Sequence, residues 1–381
     1  MNLFEVYPLY DVTPVRAEDV YVYDEKEVKY LDLYGGHAVI SIGHSHPHFV
    51  KKISNQLKQI AFYSNAIQNP LQKELANSIG EQSCLHDYRL FLCSTGAEAI
   101  ENALKLTSFH TGRKKVIAFK GAFHGRTSAA VAVTDNSAIN APLNSQHEVV
   151  FLPFNDKKAL ERELATETYC AVIFETIQGV GGLDEPTEDF VYAMESLCNT
   201  HGTCLIADEV QSGFGRSGTF FAYQKYQIAP HVITMAKGMG NGFPIGGILV
   251  HQEIKAKYGM LGTTFGGSHL ACSASLAVLD ILKKDRLQEK TKDLENYFRT
   301  KAKEISQIKK IKGRGLMLGI EFDFEVASLR KSLIYDHYIF TGGSSNKYLI
   351  RILPPLTVQE SHFDVFFNAL KIALKKNNKN L

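Results

Sequence analysis

Cys204-Leu205-Ile206-Ala207-Asp208-Glu209-Val210-Gln211 is an apolar run that ends on two acids, and Val232-Ile233-Thr234-Met235-Ala236-Lys237-Gly238 is a second that ends on a lysine. Short runs rich in Val and Ile, without polar alternation, suit strands covered on both faces. Similar runs lie at Arg89–Cys93, Lys115–Phe119, Val149–Phe154, Ala171–Glu175 and Gly247–Val250, with helical patterns between most of them. Together they predict a mostly parallel seven-stranded α/β sheet with helices on both sides. Ligands of such sheets sit beyond the carboxyl ends of the strands. Asp208, Gln211 and Lys237 fall there.

The chain ends read differently. Val20-Tyr21-Val22-Tyr23 and Lys29–Leu33 flank the polar turn Asp24-Glu25-Lys26-Glu27, a hairpin pattern. Further on, the pattern predicts a charged helix around Leu287–Lys309, strands at Leu316–Phe322 and Tyr348–Leu353, and a helix after Val358. The expected organisation is a large domain at 46–270 and a smaller α+β domain built from 1–45 and 271–381. The basic stretch Lys371 to Lys379 reads as a solvated last turn and a frayed tail.

The 381 residues carry 42 Lys plus Arg and 40 Asp plus Glu, a formal net charge of +2. That balance excludes a disordered chain and a supercharged nucleic-acid binder. No apolar run reaches the roughly 18 residues of a membrane span. Met1-Asn2-Leu3-Phe4-Glu5 lacks the basic-then-apolar pattern of a signal peptide, so a cytoplasmic protein is expected. Cys84, Cys93, Cys170, Cys198, Cys204 and Cys272 form no CxxC pair, which suits free, mostly buried thiols. The cluster Gly43-His44-Ser45-His46-Pro47-His48 has no acid or cysteine at ligand spacing, so turn and capping roles are expected rather than a metal site.

Ser94-Thr95-Gly96-Ala97-Glu98-Ala99 follows a strand and opens a helical face. Thr95 suits an N-cap, and Glu98 completes a capping box. Gly96 allows close backbone approach, and free N–H groups at a helix start can hold a phosphate. Alone, the motif reads first as a capped helix without a ligand. Neither GxxxxGK[ST] nor a strand-linked GxGxxG occurs, so the usual nucleotide folds are not supported. Asp208, buried at a strand end, needs a cationic or donor partner such as a protonated ring nitrogen. Lys237, if desolvated, becomes nucleophilic and can form a Schiff base; otherwise it snorkels to water. Phosphate cradle, buried acid and strand-end lysine together fit pyridoxal phosphate chemistry.

On Thr95-Gly96-Ala97-Glu98-Ala99, Phe123-His124-Gly125-Arg126-Thr127, Asp208–Gly218, Ala236-Lys237-Gly238 and Arg351-Ile352-Leu353-Pro354-Pro355-Leu356, the chain resembles the class III aminotransferases of fold type I. It is most similar to the acetylornithine and succinylornithine group, over nearly its whole length. The resemblance implies that Lys237 binds the cofactor covalently and then moves the proton, and that Asp208 pairs with the ring nitrogen. It implies that Gln211 lies near the ring oxygen, that Phe123 stacks on the ring, and that Thr95, Gly96 and Ala97 hold the phosphate. Thr264 of a neighbouring copy would complete that phosphate site, so a homodimer is implied. Arg126 would clamp the substrate's distant carboxylate, and Arg351 the α-carboxylate of glutamate or 2-oxoglutarate. For Arg216 and Arg314 a structural role is an equal reading.

The implied reaction passes the terminal amine of N-acetyl- or N-succinyl-ornithine to 2-oxoglutarate in arginine biosynthesis. Ornithine, 4-aminobutyrate and succinyl-diaminopimelate are alternative donors. A non-catalytic phosphate-binding protein is the alternative class, which an intact Lys237 and Asp208 disfavour. One segment departs from the family. Where relatives carry a second glutamate in Glu-Pro-x-Gln-Gly-Glu-Gly-Gly, this chain has Val180 in Glu175-Thr176-Ile177-Gln178-Gly179-Val180-Gly181-Gly182. That glutamate masks the arginine matching Arg351, so Arg351 is expected to be less shielded or masked by another acid. His37, in Tyr34-Gly35-Gly36-His37-Ala38, either contacts an acyl group or caps a turn.

Overall fold

The computed structural model describes residue 1 and residues 3–377. Asn2 and the end of the basic tail, Lys379 included, lie outside the described residues. Seven strands make the central sheet, in the order Tyr88–Cys93, Gly246–His251, Val232–Met235, Cys204–Asp208, Tyr169–Glu175, Lys115–Phe119, Val149–Leu152. Gly246–His251 runs antiparallel to both neighbours, and the strands from Val232–Met235 onward pair in parallel.

Every residue of Tyr169–Glu175, Cys204–Asp208 and Val232–Met235 is buried, because both sheet faces are covered. Side chains alternate between two cores. Ala171, Ile173, Ile206 and Val232 pack with Ile100 and Ala103 of the helix Gly96–Thr111. Val172, Phe174, Leu205 and Ile233 belong to a second core with Leu276 and Val278 of the helix His269–Lys284. Register sets the functional edge: Glu175 pairs with Asp208, and Asp208 with Thr234, so the strands end level.

The smaller α+β domain draws on both ends of the chain. Tyr21–Asp24 and Lys29–Asp32 form the expected hairpin, and Ile339–Phe340 joins Lys29–Asp32 in parallel. An antiparallel sheet of Lys310–Arg314, Met317–Glu321 and Leu349–Ile352 lies in the C-terminal part. Phe298 of the helix Leu287–Lys303 packs against Phe363 and Phe367 of the helix Glu360–Asn377.

Two features differ from the sequence reading. The charged helix stops at Lys303, and Lys310–Arg314 is an edge strand whose charges imitate a helix surface. Pro14–Glu18 adds an unforeseen edge strand beside Tyr21–Asp24. The described part of the basic tail is the expected last helical stretch, with Lys371 paired to Glu304 and Lys376 to Asp336; the stretch expected to fray lies outside the described residues. The histidine cluster takes turn and capping roles. His46 caps the helix Pro47–Gln59, His44 meets Asp32 at 2.8 Å, and His48 meets Asp280 at 2.9 Å. Among the described residues no helix is long and apolar enough to cross a membrane.

Candidate active site

A cleft of about 300 Å3 opens at the carboxyl edge of the large sheet. Thr95, Gly96, Ala97, Phe123, Asp208, Gln211 and Lys237 all line it. At one side begins the helix Gly96–Thr111. Thr95 Oγ1 accepts from Glu98 N at 3.1 Å, while Glu98 Oε2 accepts from Ser94 N at 2.8 Å. The reciprocal bond thus reaches one residue further back than a capping box does. It leaves the amides of Gly96 and Ala97 without an acceptor among the described residues. A Cβ at position 96 would lie 2.8 Å from Val210 Cγ1, so glycine lets the helix start close on the strand ends.

Asp208 is held from three sides. Its Oδ1 accepts from Val210 N at 3.0 Å and Thr234 Oγ1 at 3.1 Å, and its Oδ2 lies 2.7 Å from His124 Nδ1. His124 is buried, with Nε2 unpartnered among the described residues. Glu175, on the next strand, accepts from Phe123 N at 2.9 Å and from Gly179 N at 2.8 Å. Burial pushes its carboxyl up to about 7. In the sequence Glu175 ends an apolar run as Asp208 does, which is the signal it carries, whereas His124 lies in the loop after Lys115–Phe119 and carries none beyond its motif.

Lys237 lies just beyond Val232–Met235 in a left-handed backbone, φ +44°. Such strain in a non-glycine residue persists only where the surroundings enforce it. Its amine has no hydrogen bond or ion pair among the described residues. Desolvation drives it down to about 8, against the opposing pull of Asp208 and Glu175.

Arg351 lies behind Gln211 and is 3% exposed. Its Nη1 donates to Gly179 O at 2.7 Å and to Gln211 Oε1 at 3.3 Å; its Nε donates to Gly343 O at 2.5 Å. The expected substitute acid is therefore absent among the described residues. Carbonyl and amide oxygens hold the guanidinium instead, as Val180 brings no charge. His37 sits in a left-handed turn, Gly35–Ala38, with its ring 2.5 Å from Tyr34 Oη. Partial desolvation, then the charges of Arg351 and Lys237, lower its pKa.

Four of the expected site residues, Arg351, His37, Arg126 and Thr264, stand outside the cleft lining. Arg126 is exposed, next to Gly125, whose φ of +141° and close approach to Ala97 let the turn pass over the helix start. Thr264 is exposed on the loop before the helix His269–Lys284. Arg216 is buried and donates to Leu316 O, Pro354 O and Ile40 O, a structural clamp. Arg314 pairs with Glu185 at 3.3 Å.

The family model "Aminotransferase class-III" matches residues 5–374. The chain belongs to the class-III aminotransferases. The acetylornithine aminotransferase of Archaeoglobus fulgidus is 38% identical over 366 residues, covering 95% of this chain and 96% of that one. The acetylornithine aminotransferase of Bacillus cereus is 37% identical over 372 residues, covering 95% of each. The fold also matches the crystal structure of the ornithine aminotransferase from Toxoplasma gondii ME49. The TM-score is 0.90 at 23% identity, covering 98% of this chain and 93% of that one.

The cleft of this class-III aminotransferase fits pyridoxal phosphate. The free amides of Gly96 and Ala97 suit a phosphate at a helix start. The unpaired Lys237 amine suits a covalent link to an aldehyde. Asp208, braced by His124, offers a carboxylate to a protonated ring nitrogen.

Proposed function

We propose that this enzyme transfers the terminal amino group of an N-acyl-L-ornithine, acetyl or succinyl, to 2-oxoglutarate, giving the semialdehyde and glutamate in arginine biosynthesis. The observation that carries the reading is the Lys237 amine, desolvated to about 8, in one cleft with Asp208 and the free helix start. The names of the curated relatives supply the donor class.

Bound pyridoxal phosphate supplies an electron sink. Lys237 Nζ would hold the cofactor and, once free, could carry a proton as general base and acid. Asp208 would pair with the ring nitrogen and favour its protonated form. Its own position is fixed by Val210 N, Thr234 Oγ1 and His124. Thr95, Gly96 and Ala97 would hold the phosphate, with Phe123 against the ring and Gln211 near the ring oxygen; all five line the cleft. Arg126 takes the donor's distant carboxylate, and Arg351 the α-carboxylate of 2-oxoglutarate, since a planar guanidinium suits bidentate capture. His37 borders the acyl end of the donor.

The enzyme works as a homodimer, with Thr264 of each copy completing the other's phosphate site. Its exposure on a loop outside its own cleft supports this. The domains divide at about residues 45 and 270, and a cytoplasmic location suits the six free thiols. Lys237→Ala tests the core of the reading. The purified variant should lack the cofactor's visible absorbance band and all transfer activity. A band and turnover like the parent's would refute it.

A further inference from the structure

Arg330 stands on the helix Ala327–Tyr335, half-buried. Its Nη2 donates to Thr341 O at 2.9 Å, and its Nε is buried with no acceptor among the described residues. Among the described residues neither Arg330 nor Arg351 has a carboxylate within ion-pair distance; burial lowers the Arg351 pKa, and the Arg330 charge lowers it further.

The segment Thr341-Gly342-Gly343 runs between them. Gly342 exchanges both backbone hydrogen bonds with Arg351, at 2.9 Å each, and Gly343 O accepts from Arg351 Nε. From the opposite side, Arg330 Nη1 would stand 2.6 Å from a Cβ at Gly343, so a side chain there would displace the guanidinium. A Cβ at Gly342 would lie 2.9 Å from the Tyr34 ring, which closes the third side. With Nε and Nη1 bound to protein oxygens, Nη2 of Arg351 has no acceptor among the described residues.

Cations withdrawn from water without counter-ions raise the local potential and favour any anion that reaches them. We infer that Arg330 is a positioning residue for the Arg351 carboxylate site: it fixes Thr341–Gly343, which orients Arg351, and adds a second positive charge that draws in a dicarboxylate. This rests on the reading of Arg351 as the 2-oxoglutarate site. Arg330 acts through its neighbour. Its removal should weaken capture of the acid more than turnover.

The test is calorimetric binding of glutarate, a dicarboxylate without a reactive carbonyl, to the holoenzyme. Arg330→Gln should weaken it about tenfold, as expected for a lost charge-assisted hydrogen bond. Arg330→Lys, which keeps the charge but not the planar fork, should weaken it about threefold. The KM for 2-oxoglutarate should follow these shifts, with kcat within about threefold of the parent. Parental glutarate affinity in Arg330→Gln overturns the inference. If that variant does not fold, Arg330→Lys decides: weaker binding supports it and parental binding overturns it. Arg351→Gln separates the two layers. If it too binds glutarate like the parent, the reading of Arg351 itself fails.

Discussion

In the proposed reaction Lys237 concentrates the chemistry in one titrating atom. Its amine loses its proton near 8 rather than 10.5, because desolvation outweighs the attraction of Asp208 and Glu175. The neutral form is the nucleophile. At pH 7 about one amine in ten is neutral, and at pH 9 about nine in ten. Recombination of apoenzyme with pyridoxal phosphate, followed by the visible band, should therefore quicken roughly tenfold between pH 7 and 9 and then level off. A profile still rising toward 10.5 would place the amine in water and remove its activation. The Lys237 and Asp208 pair was legible in the sequence, since a charged residue ending an apolar run has few innocent explanations. Arg330 was not. Its meaning depends on Arg351, which it meets only across the segment Thr341–Gly343 that lies between the two guanidinium groups.

The helix Gly96–Thr111 joins packing to binding. Its first residue is pressed against Val210 and lies 3.5 Å, by its would-be Cβ, from that of Ala236. Gly96→Ala must push the helix start off the strand ends. Overpacking of this kind costs about 1–3 kcal/mol. The apoprotein should melt at a lower temperature, and cofactor affinity should fall in parallel, because the displaced amides are those that would meet the phosphate. A lower melting temperature with unchanged cofactor affinity would separate the helix start from the phosphate site. Interior strands such as Cys204–Asp208 were readable because double-sided burial forces continuous apolar runs. The direction of Gly246–His251 was not, because an apolar run carries no mark of orientation. Pro14–Glu18 and Lys310–Arg314 stayed hidden because exposed edges carry the charges that normally signal loops or helix surfaces.

Arg351 gathers Gly179, Gln211 and Gly343 around its guanidinium, so the proposed carboxylate corner is formed by parts far apart in the chain. The proposed dimer adds a second copy to the same site. If Thr264 serves the partner's cleft, chains carrying Lys237→Ala and Thr264→Ala complement each other on mixing. Random pairing leaves one intact site in half of the dimers, about a quarter of parental sites. No recovery in dimers shown to have exchanged would mean that each cleft is complete within its own chain. The assignment of a donor is tested most directly by adding N-acetylornithine, N-succinylornithine, ornithine and 4-aminobutyrate separately to the holoenzyme and recording the visible band. An N-acyl-ornithine should bleach the band fastest at equal concentration, and 2-oxoglutarate should restore it. Fastest bleaching by free ornithine or 4-aminobutyrate, or no bleaching by any of the four, would contradict the proposed function.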